Sequence, residues 1–283
     1  MEQWTFLNGG ITSAKGFRAA GVEAGVKYAN RRDVALIAAD VPCVAAGVFT
    51  TNLVAAAPVV VDRAKLAACA QAQAIAVNTG CANACTGEQG LIDAQAVAKA
   101  AAQALGIDAS LVLVSSTGVI GALLPTERVI AGVERAVQAL ASGAEADEAA
   151  SCAIMTTDTR PKRAAVQCVI DGKVVTLGGM CKGAGMIEPK MATMLAYVTT
   201  DAAVEPAWLQ QALKQAADVS FNRVVVDGDE STNDTLVCLA NGLAGNRTLS
   251  ASHPEAAVFL EALKAVCTAL AKQIVMDGEG VSK

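Results

Sequence analysis

Apolar and polar positions alternate with two different periods along the chain, and the changes of period divide it into elements. Short β-branched or continuous apolar runs at 34–38, 59–61, 75–77 and 111–114 predict strands. The run 164–170 leads through Asp171-Gly172, a pair suited to the positive φ of a tight turn, into Val174-Val175 and predicts a hairpin. Later strands are predicted at 194–198 and 224–226. Longer segments with helical spacing lie between them: an Ala-rich stretch at 91–105, then 127–140 after Pro125-Thr126, and 207–217 opened by Pro206. The last long helix is predicted over 254–275. It starts at Ser252-His253-Pro254-Glu255, which has the spacing of a capping box and places His253 on an exposed first turn. The polar residues 142–148 are the best linker candidate, and no internal repeat interrupts the alternation. Strands interleaved with helices predict an α/β fold.

Composition narrows the class. The chain has 283 residues, 53% hydrophobic and 17% charged, which is ample for a sizeable core. A net charge of −5 with 3% aromatic residues argues against nucleic acid, whose phosphates need clustered Lys and Arg. Segments 41–61 and 66–87 carry no charge. They do hold Pro42, Asn52 and Pro58 in the first, and Gln71, Gln73 and Asn78 in the second, so neither reads as a membrane span. Met1-Glu2-Gln3-Trp4 lacks the basic and apolar regions of a secretory signal, so a cytoplasmic location is expected. The nine cysteines are odd in number and scattered through apolar segments, which fits small buried hydrophobes in a reducing compartment. Cys81 and Cys85 have loose metal-ligand spacing, but no second Cys/His pair completes a site, and no metal is expected. With one histidine in the chain, any Ser-His-Asp or Cys-His catalyst would rest on His253. A catalyst built here needs a different base.

Four polar or Gly-rich segments stand out. In Ser115-Ser116-Thr117-Gly118-Val119-Ile120-Gly121, a hydroxyl and a Gly N–H after a strand can aim two donors at one oxygen. The same composition also suits an ordinary turn. Gly178-Gly179-Met180-Cys181-Lys182-Gly183-Ala184-Gly185-Met186 is neither a P-loop nor a dinucleotide fingerprint. It predicts a flexible loop presenting Lys182 to a carboxylate, a carbonyl oxygen or solvent. Ile187-Glu188-Pro189-Lys190-Met191-Ala192-Thr193-Met194-Leu195 follows at once. Its threonine could be a buried strand residue. Were the Ala192–Thr193 bond cut, however, the new α-amine of Thr193, with an ordinary pKa of about 7.7–8.0, could deprotonate its own hydroxyl. The fourth segment, 227–235, resembles a calcium loop but has Thr232 and Cys238 at positions six and twelve. It predicts a strand end turning through Asp227-Gly228 into a capped helix.

These segments together resemble the ornithine acetyltransferase family, the bifunctional glutamate N-acetyltransferase/amino-acid acetyltransferases of arginine biosynthesis. The resemblance runs through Gly16-Phe17-Arg18-Ala19-Ala20-Gly21, Gly47-Val48-Phe49-Thr50-Thr51-Asn52, Asn83-Ala84-Cys85-Thr86-Gly87 and Ser116-Thr117-Gly118-Val119-Ile120-Gly121. It is strongest in Met155-Thr156-Thr157-Asp158-Thr159, Lys182-Gly183-Ala184-Gly185-Met186-Ile187, Met191-Ala192-Thr193-Met194-Leu195 and Asp227-Gly228-Asp229-Glu230-Ser231-Thr232-Asn233-Asp234-Thr235. It implies a layered α-β-β-α architecture like the D-aminopeptidase and ornithine acetyltransferase folds. It further implies self-cleavage between Ala192 and Thr193 into segments 1–192 and 193–283, which stay together and assemble as heterotetramers of two copies of each. Thr193 would carry the acetyl group from N-acetyl-L-ornithine to L-glutamate. By the same resemblance, Thr117 and Gly118 would form the oxyanion hole, and Thr156, Lys182 and Glu279 would contact substrate.

No cofactor is implied, although acetyl-CoA is a possible second acetyl donor. An aminopeptidase or amidase using the same threonine, or an unprocessed inactive chain, are the rival expectations. Lys190 and Cys81 depart from the family pattern, where Asn or a similar small polar residue is common at the first position and Asn at the second. The family also continues past Asp277-Gly278-Glu279-Gly280 with further strands and a tail, whereas this sequence stops at Lys283.

Overall fold

A computed structural model describes residues 3–188 and 194–280. Strands β1 (Trp4–Leu7) and β2 (Phe17–Val22) precede the long β3 (Val34–Phe49). Then come α1 (Ala57–Ala68), β4 (Gln71–Cys81), α2 (Gly87–Leu105), β5 (Val112–Val119), α3 (Thr126–Gln138) and α4 (Ala144–Ala153). The chain continues through β6 (Lys162–Ile170), β7 (Lys173–Lys182), β8 (Leu195–Thr200), α5 (Pro206–Val219), β9 (Thr235–Ala240) and α6 (Ala256–Val275).

The nine strands among the described residues form one sheet in the order β1-β6-β7-β8-β9-β3-β4-β5, with β2 also on β3. The sheet folds over through β3. The first half of this strand pairs with β2 and β4, and its last six residues pair with β9. Its register with β4 breaks between Ala38 and Cys43. Pro42, which has no N–H for a ladder, sits in that break, and the irregularity lets the strand bend.

Side chains show the consequence. Before the break, Val34, Leu36 and Ala38 face a core with α2 and α3, while Ala35 and Ile37 face an inner core. After it, Cys43 and Ala45 still face the inner core, but Ala46 joins a third core beneath α5 and α6. The layers are therefore α1, α2 and α3, then two sheet halves packed face to face, then α5 and α6. This is the α-β-β-α arrangement expected from the resemblance. Strands β8 and β9 lie between β7 and β3, so residues on both sides of position 193 build the same sheet.

The hairpin forms as the turn pair predicts, with φ of 51° at Asp171 and 70° at Gly172. Other expectations are corrected. Residues 59–61 lie in α1, not a strand: Pro58 sits in the first turn, and Asp62 one step on accepts the Val114 N–H at 3.0 Å, docking the helix on β5. Residues 224–226 form no strand; Val225 is exposed, and Val226 donates a single bond to Ile187 O. Past residue 227 the chain enters β9 rather than a helix. Leu236, Cys238 and Ala240 enter the outer core while Val237 and Leu239 enter the inner one, and a run buried on both faces has no period to reveal it.

The proposed linker 142–148 is largely the start of α4, whose Ala150 and Ala153 reach the inner core. The capping box does not form. Glu255 instead accepts the Asp171 N–H at 2.6 Å, tying the hairpin to the start of α6. His253 is not on an open turn: its side chain is 6% exposed and its Nε2 lies 3.2 Å from Asp171 Oδ2.

Candidate active site

The ends of the parallel strands β4 and β5 wall a cleft of about 670 Å³. Thr117 and Gly118 enter it from β5, Thr156 from the loop after α4, Lys182 from the end of β7, and Glu279 from the turn after α6. Five positions spread over more than half the chain therefore converge. Ala192 and Thr193 lie outside the described residues. The backbone on both sides of them is held by carboxylates from the loop before β9. Asp227 accepts the N–H groups of Met186 and Ile187, the latter at 2.8 Å, and Asp234 accepts that of Met194 at 2.7 Å.

Gly118 is fixed by sterics. Its φ is +134°, and a Cβ there would stand 2.3 Å from Gly80 C and 2.6 Å from Cys81 N on the neighbouring strand. The strand ends are joined from outside by Asn233, whose amide donates to Ala82 O at 2.7 Å and to Ser116 O at 2.8 Å. Rather than leaving the strand before it, as the sequence predicts, the segment 115–119 completes β5 and is therefore rigid. That rigidity suits donors that must wait in place for a developing negative charge.

Lys182 is also differently placed. Gly178 to Lys182 is the end of β7, not a flexible loop. The glycines permit close packing, since a Cβ on Gly178 would lie 2.0 Å from Gly10 O. Lys182 is only 3% exposed. Burial lowers its ammonium below the usual lysine range, partly offset by Asp158 and Asp234, with Lys162 pushing the same way as burial. Among the described residues it makes no ion pair within 4.0 Å, which leaves a buried cation facing the cleft.

Beneath it lies a cluster that sequence reasoning missed. Lys162, fully buried, places Nζ 2.6 Å from Asp158 Oδ1 and 2.5 Å from Asp277 Oδ2. Asp158 also accepts the Gly183 N–H at 2.7 Å and the Thr156 N–H at 3.0 Å, and Asp277 accepts the N–H and hydroxyl of Thr159. Burial by itself would raise the Asp158 carboxyl. Lys182, Lys162 and the Gly183 N–H outweigh it and hold the group below the ordinary range. Burial likewise opposes, and the bonds from Lys162 and Thr159 overcome it, at Asp277.

A carboxyl lowered by folding contributes stability that is complete above its unfolded value of about 3.9 and is lost as pH falls through the folded value. The Tm is therefore expected to drop on acidification below about pH 4, and Asp277→Asn to flatten that limb in a pH series of thermal melts. Arg31 also escaped notice: it donates to Met155 O at 2.6 Å and Thr156 O at 2.7 Å, anchoring the Thr156 loop. Asp158 stands only four residues from Lys162, but the partners that complete each group, Asp277 for Lys162 and the Met155 and Thr156 carbonyls for Arg31, lie more than a hundred residues away, so nothing local marks the pairing.

Fold and cleft define an enzyme of the α-β-β-α class, with Thr117 and Gly118 on one wall of the cleft and the buried Lys182 beside them. The ArgJ family model matches residues 18–283. The arginine biosynthesis bifunctional protein ArgJ of Symbiobacterium thermophilum is 54% identical over 280 residues, covering 98% of this chain and 69% of that protein. A solved ornithine acetyltransferase from Mycobacterium tuberculosis, complexed with ornithine, is 40% identical. It superposes with a TM-score of 0.62 over 68% of this chain and 99% of its own. An L-aminopeptidase/D-Ala-esterase/amidase from Ochrobactrum anthropi, described as a variant of the Ntn hydrolase fold, shares the fold at a TM-score of 0.57 and 14% identity. It covers 98% of this chain and 90% of its own. The chain belongs to the ArgJ family, and with it to the enzymes of arginine biosynthesis.

Proposed function

We propose that the chain is cleaved autocatalytically between Ala192 and Thr193 and transfers an acetyl group from N-acetyl-L-ornithine to L-glutamate through an acetyl ester on Thr193. The observation that carries this reading is the convergence of Thr117, Gly118, Thr156, Lys182 and Glu279 on one cleft, beside which the backbone enters and leaves residues 189–193. The 68% of this chain matched to the solved Mycobacterium tuberculosis chain agrees in length with residues 1–192, which supports a break at that point.

Cleavage frees the α-amine of Thr193, which takes the proton from Thr193 Oγ1 as that oxygen attacks the acetyl carbonyl. The carbonyl oxygen gains negative charge and accepts hydrogen bonds from the Thr117 hydroxyl and the Gly118 N–H. The protonated amine then passes its proton to the departing ornithine nitrogen as the C–N bond breaks. Glutamate enters and its neutral amine attacks the ester; the Thr193 α-amine takes a proton from the attacking nitrogen and passes it to Thr193 Oγ1 as the ester C–O bond breaks. Lys182 meets the α-carboxylate of either amino acid, and Glu279 meets the side-chain ammonium of the ornithine substrate. Acetyl-CoA is a candidate second donor to the same ester. The two pieces remain associated in one sheet and assemble as a heterotetramer of two of each, acting in the cytoplasm.

Radiolabelled N-acetylornithine tests the reaction. Transfer of label to glutamate, with little free acetate, is expected. Release of acetate to water at a rate indifferent to glutamate would overturn the transferase reading in favour of an amidase.

A further inference from the structure

Three parts of the chain that carry cleft residues, the Thr156 loop, the end of β7 and the turn after α6, are all tied to one buried cation. Lys162 opens β6 with its side chain 1% exposed, and its ammonium is shared between Asp158 and Asp277. Asp158 holds the Thr156 and Gly183 N–H groups. Asp277 begins the turn that ends in Glu279, whose own N–H donates to Ala184 O at 2.7 Å. Asp158 is thus the acid that could pair with Lys182, but it is already bonded to Lys162.

We propose that Lys162 is a positioning residue: by occupying Asp158 it keeps the neighbouring Lys182 unpaired and available to the carboxylate of an incoming amino acid. The inference rests on the reading of Lys182 as the carboxylate contact. Asp234 apart, the two buried carboxylates Asp158 and Asp277 and the two buried lysines could pair one to one, with Lys182 taken by Asp158. Instead Lys162 bridges both acids, and Lys182 is left as the cation without an ion-pair partner within 4.0 Å among the described residues. The groups acting on Lys182 are Asp158 and Asp234, which attract it, and Lys162, which repels it. The adjoining Cys181 thiol is pushed up by burial and stays neutral, and Glu279 lines the same cleft. Removing the Lys162 charge both frees Asp158 for Lys182 and removes a repulsion, so Lys182 should be held more tightly inside the protein and less by ligand.

The test is titration calorimetry with two probes, N-acetyl-L-ornithine and N-acetylputrescine, which lacks the α-carboxylate but keeps the ammonium. In Lys162→Met the Kd for N-acetylornithine is expected to rise about tenfold, the scale of one hydrogen bond to a charged group, while that for N-acetylputrescine stays within about twofold. The pH above which N-acetylornithine affinity declines should move upward, because Lys182 now keeps its proton longer. Lys162→Met leaves Asp158 and Asp277 facing each other; if it does not fold, the double variant Lys162→Met/Asp277→Asn removes the excess acid and is read in the same way.

Equal weakening of both probes, or no change in either, overturns the proposal and reduces Lys162 to a structural part. Wild-type protein that binds both probes equally would be a different result, removing the assigned role of Lys182 itself.

Discussion

Thr193→Ala is expected to remain a single chain of 28.6 kDa, and the wild-type protein to separate into two pieces that meet at Ala192 and Thr193. Intact-mass spectrometry reads the difference directly. Alanine has no oxygen to attack the preceding carbonyl and none to carry an acetyl group, so processing and transfer fail together. Acetyl transfer should fall by roughly 10⁴-fold or more, the scale seen when a nucleophile that works as a unit with its base is removed. Thr193→Ser keeps the hydroxyl and should still be processed. A Thr193→Ala chain that splits at the same bond would overturn the mechanism, and one that stays whole yet transfers acetyl normally would remove the acetyl-threonine step. The expectation follows from the shortage of histidine: with only His253, which is engaged by Asp171 on the hairpin, the terminal amine is the base that this chemistry can call on.

The second large effect is expected at Gly118. A methyl group there would meet Gly80 C at 2.3 Å, and the backbone φ of +134° is one that an L side chain rarely adopts. Gly118→Ala must therefore push the ends of β4 and β5 apart and turn the Gly118 N–H away from the cleft. The expected result is a fall in kcat of about 10²–10³-fold, as for loss of one oxyanion donor, together with a lowered Tm. The KM for N-acetylornithine should change much less, because Lys182 and Glu279 reach the cleft from β7 and from the turn after α6. Steady-state kinetics separate the two. A kcat within about threefold of wild type would mean that the Gly118 N–H does not meet the developing charge.

Much of the site was legible because its residues obey local rules. Thr117-Gly118 follows a predicted strand and Lys182 sits in a glycine-rich run, so both drew notice by composition, whereas Thr156 and Glu279 entered through the resemblance. The ordered occurrence of the motifs carried the family resemblance. The reasons assigned to them were less secure. The glycines around 178–179 suggested a mobile loop but serve close packing against Gly10 within a strand. The Asp227–Asp234 segment looked like a helix cap, and its end carboxylates instead hold the backbone on each side of residues 189–193. Glu255 had the spacing of a capping box, and the hairpin turn took its carboxylate. In each case a local motif was real as chemistry and was redirected by a partner distant in sequence.

The sequence by itself determined what depends on near neighbours: the hairpin at Asp171-Gly172, where two positive φ values are needed, the amphipathic helices, and the order of the chemical motifs. Only the tertiary structure decided which apolar runs become strands. Valines 59–61 went to a helix docked by Asp62, and residues 235–240 to a strand buried on both faces, whose side chains carry no alternation to read. It also decided that β3 changes layers at Pro42, and that Lys162 is shared by Asp158 and Asp277 while Lys182 faces the cleft. Backbone conformation is governed by steric limits within a few residues. Burial and charge pairing are governed by distances in space, and those exist only once the chain has folded.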